Sequence, residues 1–354
     1  MAAKKAITKK IEEDFTGSMH NALPDGCRLC HMGAKMVLFI TGVCGRDCFY
    51  CPVSVERKDI DATYANERRV NSVEDVIEEA KRMSALGTGI TGGEPLSRPD
   101  RVLYYIRLLK ETFGCDHHIH LYTCTAPSKE MLEALHDAGL DEIRMHPPEE
   151  CWDCFYGSIY HRALKQAIAL GMSAGVEIPA IRSVPVIEKS VADAGGFLNL
   201  NELEFSETNC EAMKEKGYVL RDDVTNAVMG SEKLGREIVL NSIANTRYCS
   251  SRFKDAVQLR ERLKRTASNV ARPFDEITDD GTIVCGEITG DVDNALQSLR
   301  ELGVPGDMYR RDGDRIEIAW WILDEAGDDI AGTGKSIVER YPLRDGLVVE
   351  RIPL

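Results

Sequence analysis

Short apolar runs alternate with amphipathic stretches through the first two thirds of the chain. The run Ala34–Thr41 (AKMVLFIT) lies between two glycines, a pattern typical of a strand that is buried on both faces. The stretch Ser72–Leu86 is typical of a surface helix, because Ser72 can cap its start, acidic residues fill its first turn and Gly87 can end it. A buried strand followed by a surface helix is the repeating unit of a parallel sheet.

The same alternation continues as far as Ser206 and gives about six strand-helix units. Polar and sulfur-bearing residues follow the predicted strands, as expected for a barrel whose site lies at the carboxyl ends of its strands. We therefore predict an α/β fold, a partial (β/α)6 barrel. The further helices are predicted near Arg101–Phe113, Ser128–Ala138, Ser158–Leu170 and Ile187–Ala194, and the further strands near His117–Thr123, Glu142–His146, Ala174–Ile178 and Leu203–Ser206.

A different pattern begins after the barrel. Arg252–Asn269 predicts a basic amphipathic helix, and Arg272-Pro273 marks a boundary. The rest predicts a small α+β module with a strand at Thr282–Ile288, a helix at Val292–Leu302 and a hairpin that turns at Asp312-Gly313 and returns along Ile316–Leu323. The predicted domains are an N-terminal extension with a CxxC motif (1–33), the partial barrel (34–250), a basic helical linker (251–272) and the small C-terminal domain (273–354).

Charge and composition narrow the class of protein. The formal net charge is −14 over 354 residues, which argues against indiscriminate binding to nucleic acid or to an anionic membrane. The N-terminus lacks the apolar stretch of a secretory signal, and no apolar run approaches the ~18 residues of a membrane span. We therefore expect a cytoplasmic protein, in which the twelve cysteines, several of them closely spaced, favour metal or cluster binding over disulfides.

Three cysteines follow the first buried strand. Cys44, Cys48 and Cys51 have the spacing CxxxCxxC, so one loop can place three thiolates at three corners of a cubane cluster and leave the fourth iron without a protein ligand. An iron with an open position can bind and activate a substrate. The alternative is a structural zinc knuckle, which normally requires a fourth Cys or His.

At these residues the sequence resembles the radical S-adenosylmethionine (radical SAM) superfamily. That family's cluster motif is CxxxCxxC with an aromatic residue before the last cysteine, here Tyr50. A second motif, Gly92-Gly93-Glu94-Pro95, matches the family's GGEP turn, in which the resemblance places backbone groups and the Glu94 carboxylate at the methionine ammonium of SAM. The resemblance covers about residues 34 to 206, and within the superfamily the chain is most similar to a branch related to pyruvate formate-lyase activating enzymes.

The resemblance implies further contacts to SAM. It assigns the ribose to a hydroxyl of Thr123 or Thr125, the ribose or carboxylate to Arg144 and His146, and the adenosine to Glu177. Each of these could instead be an ordinary polar group at a strand end.

The resemblance also implies a mechanism. One electron, from a donor such as ferredoxin or flavodoxin, enters the [4Fe-4S] cluster and cleaves SAM to methionine and a 5′-deoxyadenosyl radical. That radical abstracts a hydrogen atom from the substrate. Such a cluster is expected to be oxygen-sensitive.

The remaining cysteines are more ambiguous. Cys27 and Cys30 begin a CxxCH motif of the kind used for covalent haem attachment, but nothing in the sequence indicates export. Together with Cys151, Cys154 and Cys249 they are candidates for an auxiliary Fe-S cluster or zinc site, or they merely pack. The isolated cysteines, expected in the core, are Cys115, Cys124, Cys210 and Cys285.

Three functions are compatible with these features. The first is a radical SAM enzyme that modifies or activates a protein or RNA, with the C-terminal module helping to dock it. The second is a radical SAM enzyme of small-molecule or cofactor biosynthesis, in which that module closes the open end of the barrel. The third is a non-catalytic Fe-S or zinc protein. The oligomeric state does not follow from the sequence.

Overall fold

The computed structural model describes residues 10–222 and 224–354. By their internal contacts these residues divide into two compact units: the first runs to Gln258, and the second comprises Leu259–Leu354 together with Lys81–Ser84. The division after Gln258 falls inside the segment that the sequence predicts to be a linker. Within the described residues, no helix is both long and apolar enough to cross a membrane.

The first unit is built on one large sheet. Seven of the strands described in it run parallel, in the order β11-β10-β9-β8-β7-β6-β3, and short antiparallel strands extend both edges. The strands are β1 (Glu12–Glu13), β2 (Met19–His20), β3 (Lys35–Phe39), β4 (Tyr64–Ala65), β5 (Arg68–Arg69), β6 (Gly87–Thr91), β7 (His118–Thr123), β8 (Glu142–Met145), β9 (Ser173–Pro179), β10 (Phe197–Asn201) and β11 (Asn245–Cys249).

This sheet is strongly curled. Lys35 of the first parallel strand and Arg247 of the last line the same cavity, which a flat sheet with strands about 4.8 Å apart would not allow. A curled parallel sheet covered by helices is a partial barrel, so the predicted fold class is confirmed. The sheet has a parallel strand, β11, that the sequence pattern does not reveal.

Helices connect the parallel strands, and local sequence sets their ends. Ser128 and Ser158 cap two of them by accepting a hydrogen bond from the backbone N–H three residues on, and Gly139 ends one in the left-handed conformation. The helices are α1 (Asp25–His31), α2 (Val73–Arg82), α3 (Pro99–Phe113), α4 (Lys129–Ala138), α5 (Ile159–Ala169), α6 (Pro185–Ala194), α7 (Cys210–Glu215) and α8 (Ser231–Asn241).

The predicted strand Leu203–Ser206 is wrong, because the strand lies earlier, at Phe197–Asn201. Its sequence, FLNLN, alternates leucine with asparagine, and Asn199 and Asn201 turn towards the barrel interior, where both donate to Glu177. Leu203 and Phe205 are buried in an apolar cluster outside the strand. The prediction misplaced the strand because it relied on apolar residues alone.

The segment before β3 is integrated into the first unit. The strand β2 pairs with β11, and α1 packs against β3, β6 and β7. A Cβ at Gly26 of α1 would lie 2.5 Å from the His120 ring and 2.7 Å from the Arg144 guanidinium, so a side chain there would not fit. Residues 10–33 are therefore part of the first unit by contact, and residues 1–9 lie outside the described range.

A helical stretch, Ser251–Val270, follows the barrel, as predicted. It consists of α9 (Ser251–Phe253), a π-helical segment (Lys254–Leu259) and α10 (Arg260–Val270). The π-helical segment is not detectable in the sequence pattern.

Besides α10, the second unit contains an antiparallel sheet and two further α-helices. Asp312 pairs with Arg315, so the hairpin turn is Gly313-Asp314, and Gly313 takes the left-handed conformation (φ 62°) that glycine favours. The predicted return strand ends at Ile318, because the residues from Trp320 form a helix. The elements are β12 (Glu276–Ile277), β13 (Ile283–Thr289), α11 (Val292–Glu301), β14 (Tyr309–Asp312), β15 (Arg315–Ile318), α12 (Trp320–Ala326), β16 (Gly334–Arg340) and β17 (Val348–Pro353).

Candidate functional site

The cysteine loop begins directly after β3. At the start of the loop, the Gly42 N–H donates to the carbonyl of Ile60 (2.8 Å). Gly42 has no side chain, and this leaves room for the carbonyl of Arg57. Cys44, Cys48 and Cys51 are half-buried and line one cavity of about 430 Å³ at the carboxyl ends of the parallel strands. We call this the outer cavity.

The GGEP turn lies against this loop. Gly93 N–H donates to the Thr41 carbonyl (2.7 Å), and Glu94 N–H donates to the Val43 carbonyl (2.9 Å). A Cβ at Gly93 would lie 2.6 Å from the carbonyl oxygen of Gly42 and 2.9 Å from Cβ of Cys44. Glycine is required here because the two loops approach each other closely.

The Glu94 carboxylate is occupied by groups of the protein itself. It is 5% exposed and accepts hydrogen bonds from the backbone N–H groups of Leu96, Cys124 and Thr125 at 2.7–2.9 Å and from the Thr123 hydroxyl at 2.8 Å. This carboxylate therefore ties the GGEP turn to the end of β7. The expectation that it faces the cofactor ammonium stays a prediction.

A hydrogen-bonded chain links the cysteine loop to two strands. The Tyr50 hydroxyl lies 2.9 Å from Nε2 of His146, and Nδ1 of His146 lies 2.8 Å from the carbonyl oxygen of Glu177. Burial lowers the pKa of His146, so the ring is neutral at pH 7. Nδ1 must then donate to the carbonyl, and Nε2 accepts from Tyr50.

A second, deeper cavity of about 240 Å³ lies inside the barrel. Its lining comes from the parallel strands, α1 and the helical stretch after β11, and we call it the inner cavity. Arg144 lies here, with its guanidinium donating to Glu142 (2.5 Å), to Glu177 (2.9 Å) and to the Tyr122 hydroxyl (2.8 Å).

The Glu177 carboxylate is held ionised inside the barrel. Burial opposes its ionisation, but the Arg144 charge and hydrogen bonds from Asn199 and Asn201 outweigh this and lower its pKa to about 2. Glu177 lines both cavities. It is therefore a charged group at the boundary between them.

The predicted cofactor-binding residues divide into two sets. Thr125 is exposed, Arg144 lies in the inner cavity and Glu94 is enclosed by its partners, so none of these three lines the outer cavity. The residues that do line it are Tyr50, Gly92, Gly93, Pro95, Thr123, His146 and Glu177.

Sequence reasoning missed Cys124. Its Sγ lies 3.9 Å from Sγ of Cys44, and the hydrogen bond between the two thiols lowers the pKa of Cys44 below its ordinary value. The expectation that Cys124 packs in the core is wrong, although its position directly after β7 was a signal. Cys285 is buried as expected, and Cys115 is exposed.

A segment that follows β10 covers the cysteine loop. The Thr208 hydroxyl donates to the Cys51 carbonyl (3.1 Å), and the Asn209 amide donates to the Tyr50 carbonyl (3.2 Å). The Phe49 ring stacks on Tyr218 with centroids 5.7 Å apart. These contacts, made by residues far away in sequence, order the loop from its outer side.

The three thiols of the cysteine loop match in number the ligands of a cubane cluster with one open iron. Over residues 10–222 and 224–354, no three His, Cys, Asp or Glu side chains are placed so as to hold one metal ion. A cubane cluster is larger than one ion and spreads its cysteine sulfurs over several irons. Three half-buried thiols that line one cavity satisfy that requirement.

The other candidate ligands lie in two separate places. Inside the barrel, Cys27 accepts from Arg144 (3.4 Å) and Asn199 (3.5 Å), and Cys30 and Cys249 line the inner cavity. Cys154, by contrast, is exposed and donates to the carbonyls of Glu150 and Cys151.

Known proteins with similar sequences identify the family of this chain. Residues 38–147 match the model of the radical SAM superfamily. The chain is also 38% identical over 365 residues to a protein of Methanocaldococcus jannaschii named "Putative glycyl-radical enzyme activating enzyme", with 98% of this chain and 96% of that protein covered. The chain belongs to the radical SAM superfamily. The predicted family is thus confirmed, and the relative's name is that of the predicted branch.

The chain is also similar to one further family model and to solved structures. Residues 281–354 match a domain of unknown function, DUF8061. Among solved structures, methylornithine synthase is similar with a TM-score of 0.41 and 13% identity, over 61% of this chain and 71% of that one. Coproporphyrinogen III oxidase of Escherichia coli is similar with a TM-score of 0.36 and 12% identity, over 94% and 76%.

Proposed function

We propose that this radical SAM enzyme holds a [4Fe-4S] cluster on Cys44, Cys48 and Cys51, binds SAM in the outer cavity and activates a protein substrate by abstracting a hydrogen atom. The observation that carries the proposal is the position of the three thiols, which line the outer cavity together with the glycines of the GGEP turn that packs against their loop. With the cluster and SAM bound, reductive cleavage of SAM would supply a 5′-deoxyadenosyl radical.

The protein's own groups have supporting roles in this proposal. Among the polar groups that line the outer cavity are the backbone of Gly92 and Gly93, the Thr123 hydroxyl and the Glu177 carboxylate. The Gly93 N–H and the Thr123 hydroxyl proton already have acceptors, so these two groups would meet SAM through their oxygen atoms. The pair Tyr50 and His146 fixes the cysteine loop relative to β8 and β9. Holding reactants in one geometry is the main contribution a protein makes to cofactor chemistry of this kind.

The protein substrate is supported by the relative from M. jannaschii. Its name refers to activation of a glycyl-radical enzyme, and its similarity extends over 98% of this chain, the second unit included. Cys44 borders Gly45, Arg46 and Asp47, which are exposed and so available to a large substrate. An auxiliary cluster on the other cysteines remains a further proposal.

A second candidate is a radical SAM enzyme that acts on a small molecule. The observation that favours it is the inner cavity, which has several charged side chains in its wall and shares lining residues with the outer cavity. A macromolecular substrate does not require such a cavity.

The decisive experiment is anaerobic reconstitution with iron and sulfide, followed by measurement of 5′-deoxyadenosine under reducing conditions. Wild type is expected to form 5′-deoxyadenosine. A triple variant, Cys44→Ala, Cys48→Ala, Cys51→Ala, is expected to form none. A Cys115→Ala control is expected to form as much as wild type. Iron clearly above about four atoms per chain would support an auxiliary cluster. A wild type that contains a full cluster but forms no deoxyadenosine would overturn the proposal and favour a structural metal.

The two candidate substrates can be separated with the same assay. An extract of the source cells is divided by dialysis into macromolecules and small molecules, and each fraction is added to the reconstituted enzyme. Faster deoxyadenosine formation with the macromolecules, lost after protease but not after ribonuclease, is expected for a protein substrate. Stimulation by the small molecules alone would favour the second candidate.

A further inference from the structure

The inner cavity lies directly below the outer one. Five residues line both cavities, and each comes from the sheet or from the helical stretch after it: Thr91, Tyr122, Glu177, Asn201 and Lys254. A ligand in the inner cavity would therefore have its free end directed towards the three cysteines.

The carboxylates around the inner cavity already have cationic partners. Glu142 and Glu177 both pair with Arg144, which is 1% exposed, and Glu204 pairs with Lys254 at 2.7 Å. Each of these buried charges faces an opposite one, and because Arg144 serves two carboxylates the group keeps one negative charge, which also attracts Lys35 through space. Such an arrangement needs no ligand.

Two further cations of the same cavity have no such partner. Arg247 is 4% exposed, and its Nε and Nη2 atoms have no hydrogen-bond partner among the described residues. Lys35 is 6% exposed, and its Nζ lies 3.4 Å from Nε2 of His120. Neither cation forms an ion pair with a described carboxylate. A buried charge without a counter-charge is costly, because it has lost its hydration and gained little in return.

The free atoms of Arg247 have a specific geometry. Nε and Nη2 form one edge of the planar guanidinium, where two parallel N–H groups match the two oxygens of a carboxylate or a phosphate. The thiols near this guanidinium are those of Cys27, Cys30 and Cys249, and the rings near it are those of His20, His31 and Phe253, the last with its centroid 4.8 Å away. None of these provides a fixed negative charge comparable to a carboxylate.

We propose that the inner cavity binds the carboxylate or phosphate group of a small ligand on Arg247 and Lys35. The cavity volume of about 240 Å³ limits the ligand to a small molecule. In radical chemistry this anchor would hold one end of the ligand inside the barrel while the rest reaches the outer cavity. The reaction rests on the second candidate function, whereas anion binding does not depend on the cluster.

The test is titration calorimetry of the full-length protein without cluster or SAM, at constant ionic strength, with sodium chloride as reference. The probes are inorganic phosphate, glycerol phosphate, acetate and succinate. Wild type is expected to bind at least one of them saturably. If the two phosphates bind more tightly than the two carboxylates, the site recognises a phosphate group, and the reverse order indicates a carboxylate. Tighter binding of glycerol phosphate than of inorganic phosphate, or of succinate than of acetate, would show that the anion is part of a bigger ligand.

Variants assign the binding to the two cations. Arg247→Met and Lys35→Met are each expected to weaken binding about tenfold or more, because hydrogen bonds to charged groups are lost. Arg107→Met and Lys189→Met, which alter exposed cations, should bind as wild type does. Without ligand, Arg247→Met is expected to be at least as stable as wild type, since its unpaired buried charge is gone.

Three results would overturn the proposal. One is a folded wild type that binds none of the probes, and another is unchanged affinity in Lys35→Met, which is informative even if Arg247→Met fails to fold. The third is iron that persists in the Cys44, Cys48 and Cys51 triple variant and is lost on adding Cys249→Ser, which would give the inner cavity to an auxiliary cluster. Failure of the deoxyadenosine assay alone would leave anion binding intact.

Discussion

The outer and inner cavities differ in what holds their walls in place. The outer cavity is formed by loops, which are held mostly by backbone groups, as in the pairing of Gly93 with Thr41 and of Glu94 with Val43. The inner cavity is formed by charged side chains that project from strands, such as Arg144 and Glu177. The outer site therefore depends on close loop packing, whereas the inner one depends on charge balance.

Removing one charge from the inner network should have the largest effect. Glu177→Gln leaves Arg144 with a single carboxylate partner, and breaking a buried ion pair typically costs about 3–5 kcal/mol of unfolding free energy. Chemical denaturation at pH 7 measures this loss. The exposed Glu207→Gln is the control and should change little.

The same variant has a pH signature. The folded-state pKa of Glu177, about 2, lies below its ordinary value of 4.5, so its ionisation stabilises the fold above pH 4.5, and that stabilisation is lost as the pH falls through 2. The stability gap between wild type and Glu177→Gln should therefore narrow from pH 5 to pH 2. A gap that stays constant would mean that charge is not what stabilises the inner network.

The close packing of the outer cavity predicts an intermediate effect. In Gly93→Ala the new methyl group would lie 2.6 Å from the Gly42 carbonyl oxygen, so the cysteine loop must shift, at a cost of about 1–3 kcal/mol. Iron content after reconstitution should fall as well. Gly45→Ala is a matched control in the same loop, because a Cβ there meets nothing within 4 Å; equal losses in both variants would contradict the packing argument.

The smallest effect is expected for the link between the two regions. Tyr50→Phe removes one hydrogen bond, to His146, and should lower the unfolding free energy by about 1 kcal/mol. Deoxyadenosine formation should slow only modestly, because Gly93 and Glu94 still hold the loop. Tyr104→Phe, at an exposed tyrosine, is the comparison; a complete loss of activity in Tyr50→Phe alone would give that hydroxyl a larger role than positioning.

Sequence patterns predicted the fold where burial was uniform and failed where polar residues entered the strands. The run at Lys35–Phe39 was found because its side chains are nearly all buried and apolar. The strands Phe197–Asn201 and Asn245–Cys249 were misplaced or missed, because Asn199 and Arg247 interrupt their apolar pattern. Those polar residues face the inner cavity, and this is why the strands carry them.

The family, the cysteine triplet and the GGEP turn could be predicted from local motifs, because residues close together in the chain must share one loop whatever the rest of the fold does. The contacts between distant residues followed only from the tertiary structure. It placed Cys124 beside Cys44, enclosed Glu94 among backbone donors, and brought Lys35 and Arg247 into one cavity from opposite ends of the parallel sheet. Contacts of this kind depend on strand register and sheet curvature, which no local pattern encodes.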